Sequence, residues 1–396
     1  MLNDLDSLDN FLDKKDNPRI GVIGAGRLGI CFALLEDHAG YDVVVSDVRE
    51  DYVKNLNKRL ISTNEPLVED LLKESNIRAT TSNKEVIEEC NIIYTFVATP
   101  STKDGNYDVS AVDSVVKDFE GVSDKIFVVG CTTNPGDCEK FQKKLDGVKV
   151  FYNPEFIAQG SIVQGLREAD MVLVGGDYDA HEEHNAIFQI YEAIQTTPLN
   201  YNSMSLTAAE LVKLAVNCYL TMKISYANQV GEVMSRFGLG EEIDTVLDAI
   251  GADSRVGSKF LNYGFGFGGP CLPRDNRAFA HAAERVGLKN NIGLTMDAFN
   301  DEHSDFLADY LCERNPNKKR PFYFTEGITY KKGTDILEES QQYKLFRELL
   351  NRGYTCVALE LPEVSDKVYN DLMYTWPGKF KFIYTEDQAP ADAFEI

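Results

Sequence analysis

A glycine-rich turn near the start of the chain restricts the possible fold more than any other feature. Residues 24–29, Gly-Ala-Gly-Arg-Leu-Gly, follow an apolar run at 19–23 and open a helical pattern over 27–38. Glycines at this spacing allow a tight turn and let backbone amides approach a pyrophosphate, whose charge the helix N-terminus favours. Asp47 ends the next predicted strand, where a carboxylate binds an adenosine ribose and repels a 2′-phosphate. The pattern predicts a dinucleotide site that prefers NAD to NADP; an ordinary strand-to-helix turn is the alternative.

The rest of the chain alternates short apolar runs with helical patterns, which is typical of a parallel α/β sheet. Strands are predicted at residues 19–23, 42–46, 92–98, 126–130, 148–152 and 171–175. A long helical pattern then covers 206–237, and helical sequence interrupted by glycines at 264–269 continues to about residue 310. The polar run 313–320 reads as a linker. A smaller α/β unit is predicted after it, with strands at 321–324 and 355–361 and a helix near 340–351.

Charge and hydrophobicity exclude several classes of protein. The net charge of 40 − 63 = −23 disfavours nucleic acid and anionic lipid as partners. No apolar stretch approaches about 18 residues, and the first 17 residues are acidic, so we expect no membrane span, no signal peptide and a cytoplasmic location. The eight cysteines lack paired spacing, and His181 and His184 are three residues apart where the metalloprotease pattern needs four. We therefore expect no metal site, and we read both histidines as solvated helix residues.

A second glycine-rich segment carries a candidate nucleophile. Residues 264–275 read Gly-Phe-Gly-Phe-Gly-Gly-Pro-Cys-Leu-Pro-Arg-Asp. So many glycines and prolines describe a backbone wrapped around a ligand, and they place Cys271 at a loop-to-helix junction where amide dipoles favour a thiolate. Asp275 lies one helical turn further on and could hold a water beside the sulfur. The alternative is a glycine-rich turn around a buried structural cysteine.

Two further groups of polar residues are weaker candidates. Lys213 and Asn217 are four apart on the long helix and share a face, so together they could stabilise an oxyanion. A solvated polar stripe is the alternative. Glu155, in Asn153-Pro154-Glu155-Phe156, follows a predicted strand at the carboxyl end of the sheet, where open α/β folds bind ligands.

Taken together, these motifs resemble those of the UDP-glucose/GDP-mannose dehydrogenase family over about residues 18 to 360. The matching segments are the turn at 24–29, Thr99-Pro100 with Asp104-Gly105, Thr132-Thr133-Asn134-Pro135-Gly136, Asn153-Pro154-Glu155-Phe156, Lys213 with Asn217, residues 255–261, and the cysteine loop. An acidic leader (1–17) precedes the matching region. The resemblance implies a Rossmann-type NAD-binding domain (18–203), a central helical dimerisation domain with the cysteine loop (204–312), and a short C-terminal α/β domain for the nucleotide sugar (318–396).

The resemblance also implies a reaction, which is a four-electron oxidation of a sugar C6 alcohol to a carboxylate with NAD. Cys271 would add to the intermediate aldehyde, and the thiohemiacetal would be oxidised to a thioester and hydrolysed. UDP-glucose is the leading substrate, giving UDP-glucuronate for polysaccharide synthesis. A UDP-N-acetylhexosamine or GDP-mannose enzyme is the alternative within the class, and a catalytically impaired nucleotide-sugar-binding homologue is the alternative outside it.

Individual roles follow from the same resemblance. The catalytic set is Cys271, Lys213, Asn217, Asp275, Thr133 and Glu155. The cofactor set is Gly24, Gly26, Arg27, Leu28, Gly29, Asp47, Thr99, Pro100, Thr133, Gln159 and Arg274. The substrate set is Glu155, Phe156, Lys213, Asn217, Arg255, Phe267, Gly268 and Lys331. Arg255 would reach a substrate held by a second subunit, which makes a homodimer with shared active sites the expected assembly.

This sequence departs from the family pattern at three positions. Gln159 stands where relatives have a second glutamate, which removes a carboxylate from the region of thioester hydrolysis. Glu338 stands where relatives have an arginine near the cofactor. Arg274 replaces the usual lysine beside the catalytic aspartate, which keeps the charge but changes its geometry.

Overall fold

A computed structural model describes residues 18–157, 160–177 and 179–396. The chain divides into two compact units, Met1–Lys213 and Leu214–Ile396. The acidic leader and Gln159, both named in the sequence analysis, lie outside the described residues.

The first unit is built on an eight-stranded sheet. Its elements in chain order are β1 (Ile20–Ile23), α1 (Arg27–His38), β2 (Val43–Ser46), α2 (Glu50–Asn57), α3 (Val68–Glu74), β3 (Arg78–Thr80), α4 (Asn83–Glu89), β4 (Ile92–Thr95), α5 (Ser110–Asp118), β5 (Lys125–Val129), α6 (Asp137–Lys144), β6 (Val148–Tyr152), α7 (Ile162–Arg167), β7 (Val172–Gly175), α8 (His181–Ile194), β8 (Tyr201–Met204) and the beginning of α9 (Leu206–Arg236). The strand order β3-β2-β1-β4-β5-β6-β7-β8 begins with the doubly wound order of dinucleotide-binding folds. The predicted α/β fold is therefore confirmed.

The expectation of an entirely parallel sheet is wrong at one pair. β7 runs antiparallel to β6, with Tyr152 opposite Gly175, and β8 runs parallel to β7. An antiparallel neighbour needs no full crossover connection, and the segment between β6 and β7 contains just the short helix α7. Apolar runs fix where a strand lies but not its direction, so the sequence pattern could not predict this reversal.

The strands are buried on both faces because their residues alternate between two apolar cores. Val43 and Val45 of β2 pack in the core on the side of α1, whereas Val44 packs in the core on the side of α4 and α5. Each fully buried side chain of this size contributes about 1.5–3 kcal/mol. The continuous Val and Ile runs in the sequence follow from this sandwich of helices on both sheet faces.

Helix α8 corrects the interpretation of one histidine. His181 is exposed as expected, but His184 is buried, with its ring nitrogens 3.0 Å from the Ser203 hydroxyl and 3.0 Å from the Asp177 carbonyl. Positions 184, 187 and 191 share the inward face of α8, since they are spaced by about one and two helical turns. Burial lowers the pKa of His184.

The second unit contains the rest of α9 and a four-stranded parallel sheet. Its further elements are α10 (Ile243–Gly251), α11 (Leu272–Arg285), α12 (Ile292–Arg314), β9 (Phe322–Phe324), α13 (Gln341–Asn351), β10 (Cys356–Leu359), α14 (Pro362–Thr375), β11 (Phe380–Ile383) and β12 (Phe394–Glu395). The sheet order is β11-β10-β9-β12, and α12, α13 and α14 supply apolar residues to its core. The long helix and the small C-terminal α/β sheet are confirmed.

Within the described ranges, no helix combines the length and the apolar character that crossing a membrane requires.

Candidate active site

The glycine turn after β1 has the geometry that its sequence predicts. Gly24 has φ +94°, which side chains rarely adopt, and a Cβ on Gly29 would lie 2.1 Å from the Gly24 carbonyl oxygen. A Cβ on Gly26 would meet no atom within 4 Å, so space remains above the start of α1. The first turn of α1 carries no acidic residue. A helix N-terminus without a side-chain cap and without an acid in its first turn fits the pyrophosphate of NAD.

Asp47 follows β2 at the same edge of the sheet and is bound by a neighbouring arginine. Arg49 Nε donates to Asp47 Oδ1 at 2.8 Å, and Arg49 Nη2 donates to Oδ2 at 2.8 Å. Burial alone would raise the pKa of Asp47, but the hydrogen bonds from Arg49 outweigh it and lower that pKa. The Arg49 guanidinium also stacks 4.0 Å from the centre of the Tyr52 ring.

The remaining cofactor candidates of this unit also follow the carboxyl ends of strands or begin α1. Thr99 is buried and Pro100 exposed in the loop after β4, which ends three residues earlier than predicted. Arg27 is exposed and Leu28 is half-buried on the core. Because parallel strands end at one edge, the turns after β1, β2 and β4 converge there.

Thr133 follows β5 and is hydrogen-bonded to the buried carboxylate of Glu210 on α9. The Thr133 hydroxyl donates to Glu210 Oε1 at 2.8 Å, and the backbone amides of Gly136 and Cys138 donate to the same carboxylate at 2.6 and 2.9 Å. Glu210 is fully buried, and burial raises its pKa although these three donors oppose the shift. Glu210 therefore fixes both Thr133 and the start of α6.

Glu155 follows β6 and lies among basic, aromatic and phenolic groups. The Tyr191 hydroxyl donates to Glu155 Oε1. Lys213 Nζ donates to the Glu155 backbone carbonyl at 2.9 Å and lies 5.1 Å from the centre of the Phe156 ring. Burial raises the pKa of Glu155 to about 7, while the hydrogen bond from Tyr191 and the charge of Lys213 act against the rise. A carboxyl with this pKa suits proton transfer near neutral pH.

The alternative of a solvated stripe on α9 is wrong, because Lys213 and Asn217 are each only 8% exposed. Asn217 donates from its side-chain nitrogen to Asp275 Oδ2. Asp275 is itself 2% exposed. The second unit thus brings Asn217 and Asp275 together.

Cys271 is the residue that precedes α11, and Asp275 lies one turn into that helix. The Asp275 amide donates to the Cys271 carbonyl at 2.9 Å, which closes the first helical turn. All eight cysteines lie in the described part of the chain, and Cys271 alone is exposed. The alternative of a buried structural cysteine is therefore wrong.

The glycine loop before Cys271 is held by polar side chains from two helices. Asn300 of α12 accepts from the Phe267 amide at 2.8 Å and donates to the Phe267 carbonyl at 3.0 Å. His303 of α12 lies 2.7 Å from the Gly264 carbonyl and 2.7 Å from Glu232 Oε1. A Cβ on Gly266 would lie 2.1 Å from Asn300 Oδ1, so only glycine fits there.

The other substrate and cofactor candidates of the second unit are more dispersed. Phe267 is buried, and a Cβ on Gly268 would lie 2.5 Å from the Glu339 carbonyl oxygen. Arg274 is half-buried on α11, whereas Lys331 and Glu338 are exposed. The Arg255 side chain is 87% exposed and pairs with Asp253 at 2.6 Å.

Sequence reasoning missed Glu210, Tyr191, Asn300 and His303. Glu210 could have been found, because it lies three residues before Lys213 and Asn217 follows four residues later, which places all three along one side of α9. The other three act through partners 33 to 39 residues away in the chain. Asn300 and Tyr191 give no local signal for such contacts. Contacts of polar side chains with residues this far away in the chain can be identified only once the fold is known.

Residues 18–195 match the NAD-binding domain of the UDP-glucose/GDP-mannose dehydrogenase family, and residues 207–302 match its central domain. The chain is 31% identical to the UDP-glucose 6-dehydrogenase AglM of Haloferax volcanii over 361 residues, which cover 86% of this chain and 83% of the relative. It is 27% identical to the UDP-glucose 6-dehydrogenase TuaD of Bacillus subtilis, with 88% of this chain and 77% of the relative covered.

Solved structures agree with this match. The UDP-glucose dehydrogenase of Pyrobaculum islandicum superposes with a TM-score of 0.82 at 26% identity and covers 94% of this chain and 88% of its own. A UDP-D-ManNAc dehydrogenase from Pyrococcus horikoshii shares the fold, with a TM-score of 0.74 at 20% identity and coverage of 95% and 98%. The chain therefore belongs to the UDP-glucose/GDP-mannose dehydrogenase family of NAD-binding oxidoreductases.

Proposed function

We propose that this chain oxidises the C6 hydroxyl of UDP-glucose to a carboxylate and so makes UDP-glucuronate. Family membership supports the coarser statement, a nucleotide-sugar 6-dehydrogenase. The choice of UDP-glucose rests on the relatives from Haloferax volcanii, Bacillus subtilis and Pyrobaculum islandicum, each of which is named a UDP-glucose dehydrogenase.

The observation that carries the proposal is Cys271 exposed at the start of α11 with Asp275 one turn behind it. An oxidation that stops at the aldehyde needs no nucleophile. Oxidation of the aldehyde to the acid by a hydride acceptor needs a nucleophile that adds to the aldehyde carbon, because the adduct keeps the C–H bond from which the second hydride leaves. A cysteine thiolate supplies that adduct.

The glycine turn at residues 24–29 and Asp47 would hold NAD+, which would supply the hydride acceptor for each of the two oxidations at C6. In the first, a water positioned by Asp275 and Thr133 takes the hydroxyl proton, and the aldehyde forms. The Cys271 thiolate then adds to the aldehyde carbon, and the oxygen is protonated to give a thiohemiacetal. Loss of its hydroxyl proton and of the second hydride gives a thioester, while Lys213 and Asn217 stabilise the oxyanions.

Hydrolysis completes the sequence. Water attacks the thioester carbon, the C–S bond breaks, and Cys271 leaves as thiolate. We assign the proton of that water to Glu155, because Gln159 cannot accept one as a carboxylate.

We also propose that the active unit is a homodimer formed through α9. Tyr219, Tyr226 and Val233 of α9 are 50–52% exposed and recur every seven residues, so they form one apolar face on the second unit. A second copy of the chain would bring the same face to it. Tyr226→Glu should shift the protein to monomer in light scattering, whereas Tyr374→Glu, at a 92% exposed tyrosine of α14, should not. Equal masses for both variants would contradict this dimer.

Substrate sharing has its own test. If Arg255 serves a substrate held by the second subunit, mixing inactive Arg255→Ala and Cys271→Ala proteins should restore part of the activity, because one hybrid site keeps both groups. No restored activity, with subunit exchange shown independently, would contradict the sharing.

The function is tested by incubating the protein with UDP-glucose and NAD+ and following NADH by absorbance and the sugar acid by mass spectrometry. Two NADH per sugar acid are expected. UDP-N-acetylglucosamine, UDP-N-acetylmannosamine and GDP-mannose form the comparison panel. A higher kcat/KM for one of these would replace UDP-glucose as the substrate, and no NADH with any of them would favour a catalytically impaired homologue.

A further inference from the structure

Glu155 is held by a phenol that none of the sequence motifs include. Tyr191 lies on α8, is 1% exposed, and donates its hydroxyl to Glu155 Oε1. Its ring packs against Phe32 of α1, with the ring centres 6.0 Å apart. Because the Tyr191 ring is packed in the core, its side chain has little rotational freedom, and the packing keeps its hydroxyl at hydrogen-bonding distance from Glu155.

The groups around Glu155 come from four elements. Lys213 of α9 donates to the backbone carbonyl of Glu155, as described above. Glu36 of α1 and Tyr94 of β4 are fully buried, and the charge of Glu155 raises the pKa of each in addition to the larger effect of burial. Against this acidic surrounding, Tyr191 and Lys213 are the groups that favour a charged Glu155.

We propose that Tyr191 is a positioning residue that holds Glu155 by Oε1 and leaves Oε2 to accept the proton of the hydrolytic water. This inference rests on the proposed function, because it presumes the role that we assign to Glu155. It adds a residue on α8 to the reaction, at a position outside every motif that marks the family in this sequence.

The electrostatics support the same role. Burial raises the pKa of Glu155 to about 7, and the Tyr191 hydrogen bond opposes that rise. Without this donor the pKa of Glu155 would rise further, since a hydrogen bond to the carboxylate stabilises its charged form. More of the protein would then hold a protonated Glu155 at neutral pH, which cannot accept a proton from water.

The test compares Tyr191→Phe with Tyr94→Phe. Both substitutions remove one hydroxyl from a buried ring that packs against Phe32, but the Tyr94 hydroxyl has no hydrogen-bond partner among the described residues. Tyr191→Phe should move the acidic limb of the kcat pH profile up by about one pH unit and lower kcat at pH 7 by about fivefold, because the unmodified Glu155 already titrates near pH 7. Tyr94→Phe should leave the limb in place. An unmoved limb in Tyr191→Phe, or an equal shift in both variants, would overturn the proposal.

A direct titration separates this inference from the proposed function. Carboxyl infrared difference spectra, assigned with Glu155→Gln, report the pKa of Glu155 without any substrate. A raised pKa in Tyr191→Phe supports the inference even if UDP-glucose is not oxidised by the unmodified protein, in which case the assigned reaction alone fails. If Tyr191→Phe does not fold, the 13Cζ resonance of Tyr191 in the unmodified protein should titrate together with Glu155, and a resonance that stays constant through that titration would overturn the proposal.

Discussion

Asp47 and Arg49 form a bidentate ion pair after β2, in which Arg49 Nε and Nη2 each donate to one carboxylate oxygen of Asp47 at 2.8 Å. The acid that we propose to select NAD therefore stands beside a guanidinium whose charge it neutralises. In this arrangement the Asp47 carboxylate repels a 2′-phosphate. It also pairs with the Arg49 guanidinium, which would otherwise attract that phosphate.

Asp47→Ala should therefore change cofactor preference instead of simply weakening binding. Removing the carboxylate frees Arg49 to pair with a 2′-phosphate, and we expect the ratio of kcat/KM for NADP+ to that for NAD+ to rise about 10- to 100-fold. Asp47→Ala combined with Arg49→Ala is the control and should lose the gain with NADP+. Equal efficiency of the unmodified protein with both cofactors would contradict the role of Asp47.

Replacing Cys271 should separate the two oxidations. Cys271→Ala should form no acid by the covalent route and lower acid formation by roughly three orders of magnitude or more, while nucleotide-sugar binding by calorimetry persists. Cys271→Ser should stall or form a slowly hydrolysed ester. Intact-protein mass spectrometry of the unmodified enzyme with substrate and NAD+ should show an adduct on Cys271. Near-normal acid formation by Cys271→Ala would exclude the thiohemiacetal route.

The extent of sequence prediction can be judged from α1 and Glu155. The bounds of α1 follow from local features, namely a glycine turn before it and an apolar periodicity through it, and the structure reproduces them at Arg27 and His38. Glu155 is placed at a strand end by the same local pattern, but its pKa depends on Tyr191, 36 residues away. Periodicity identifies elements and the edge where they end; long-range contacts between side chains are set by packing that no local pattern encodes.

The polar support of the cysteine loop gives a third prediction. Asn300→Ala removes both hydrogen bonds to Phe267, and we expect turnover to fall by about 100-fold because Cys271 is displaced. Asn291→Ala is the matched control, since Asn291 caps the start of the same helix and binds Ala280 instead of the loop. It should cost about 1 kcal/mol of unfolding free energy and leave turnover per folded molecule unchanged. Similar turnover in both variants would remove Asn300 from a positioning role.

Glu36 gives a prediction about stability and pH. Its carboxylate is fully buried in α1 with no hydrogen-bond partner among the described residues, and burial raises its pKa well above the ordinary value. Between the two pKa values, the folded protein therefore holds a proton on Glu36 that the unfolded chain releases. The contribution of this group to the free energy of unfolding is fully present below the pKa of the unfolded state, and it is lost as the pH rises toward the pKa of the folded state.

Glu36→Gln keeps the shape and removes this titration. In thermal and urea unfolding, the free energy of unfolding of Glu36→Gln minus that of the unmodified protein should increase by up to about 1.4 kcal/mol for each pH unit above about 4.5. Glu88→Gln, at an exposed glutamate of α4, is the control and should show no such trend. Parallel stability curves for the unmodified protein and Glu36→Gln would show that the buried carboxyl does not titrate as described.

The contacts of the cysteine loop also bear on attempts to move it into another protein. Its shape depends on Asn300 and His303 of α12, and on Asn228 of α9, which accepts from the Gly264 amide at 3.0 Å. A graft of residues 264–275 alone would carry the thiol and the glycines but none of these anchors. A transplantable catalytic module therefore has to include matching turns of α9 and α12, and recombination between relatives should preserve these three segments together.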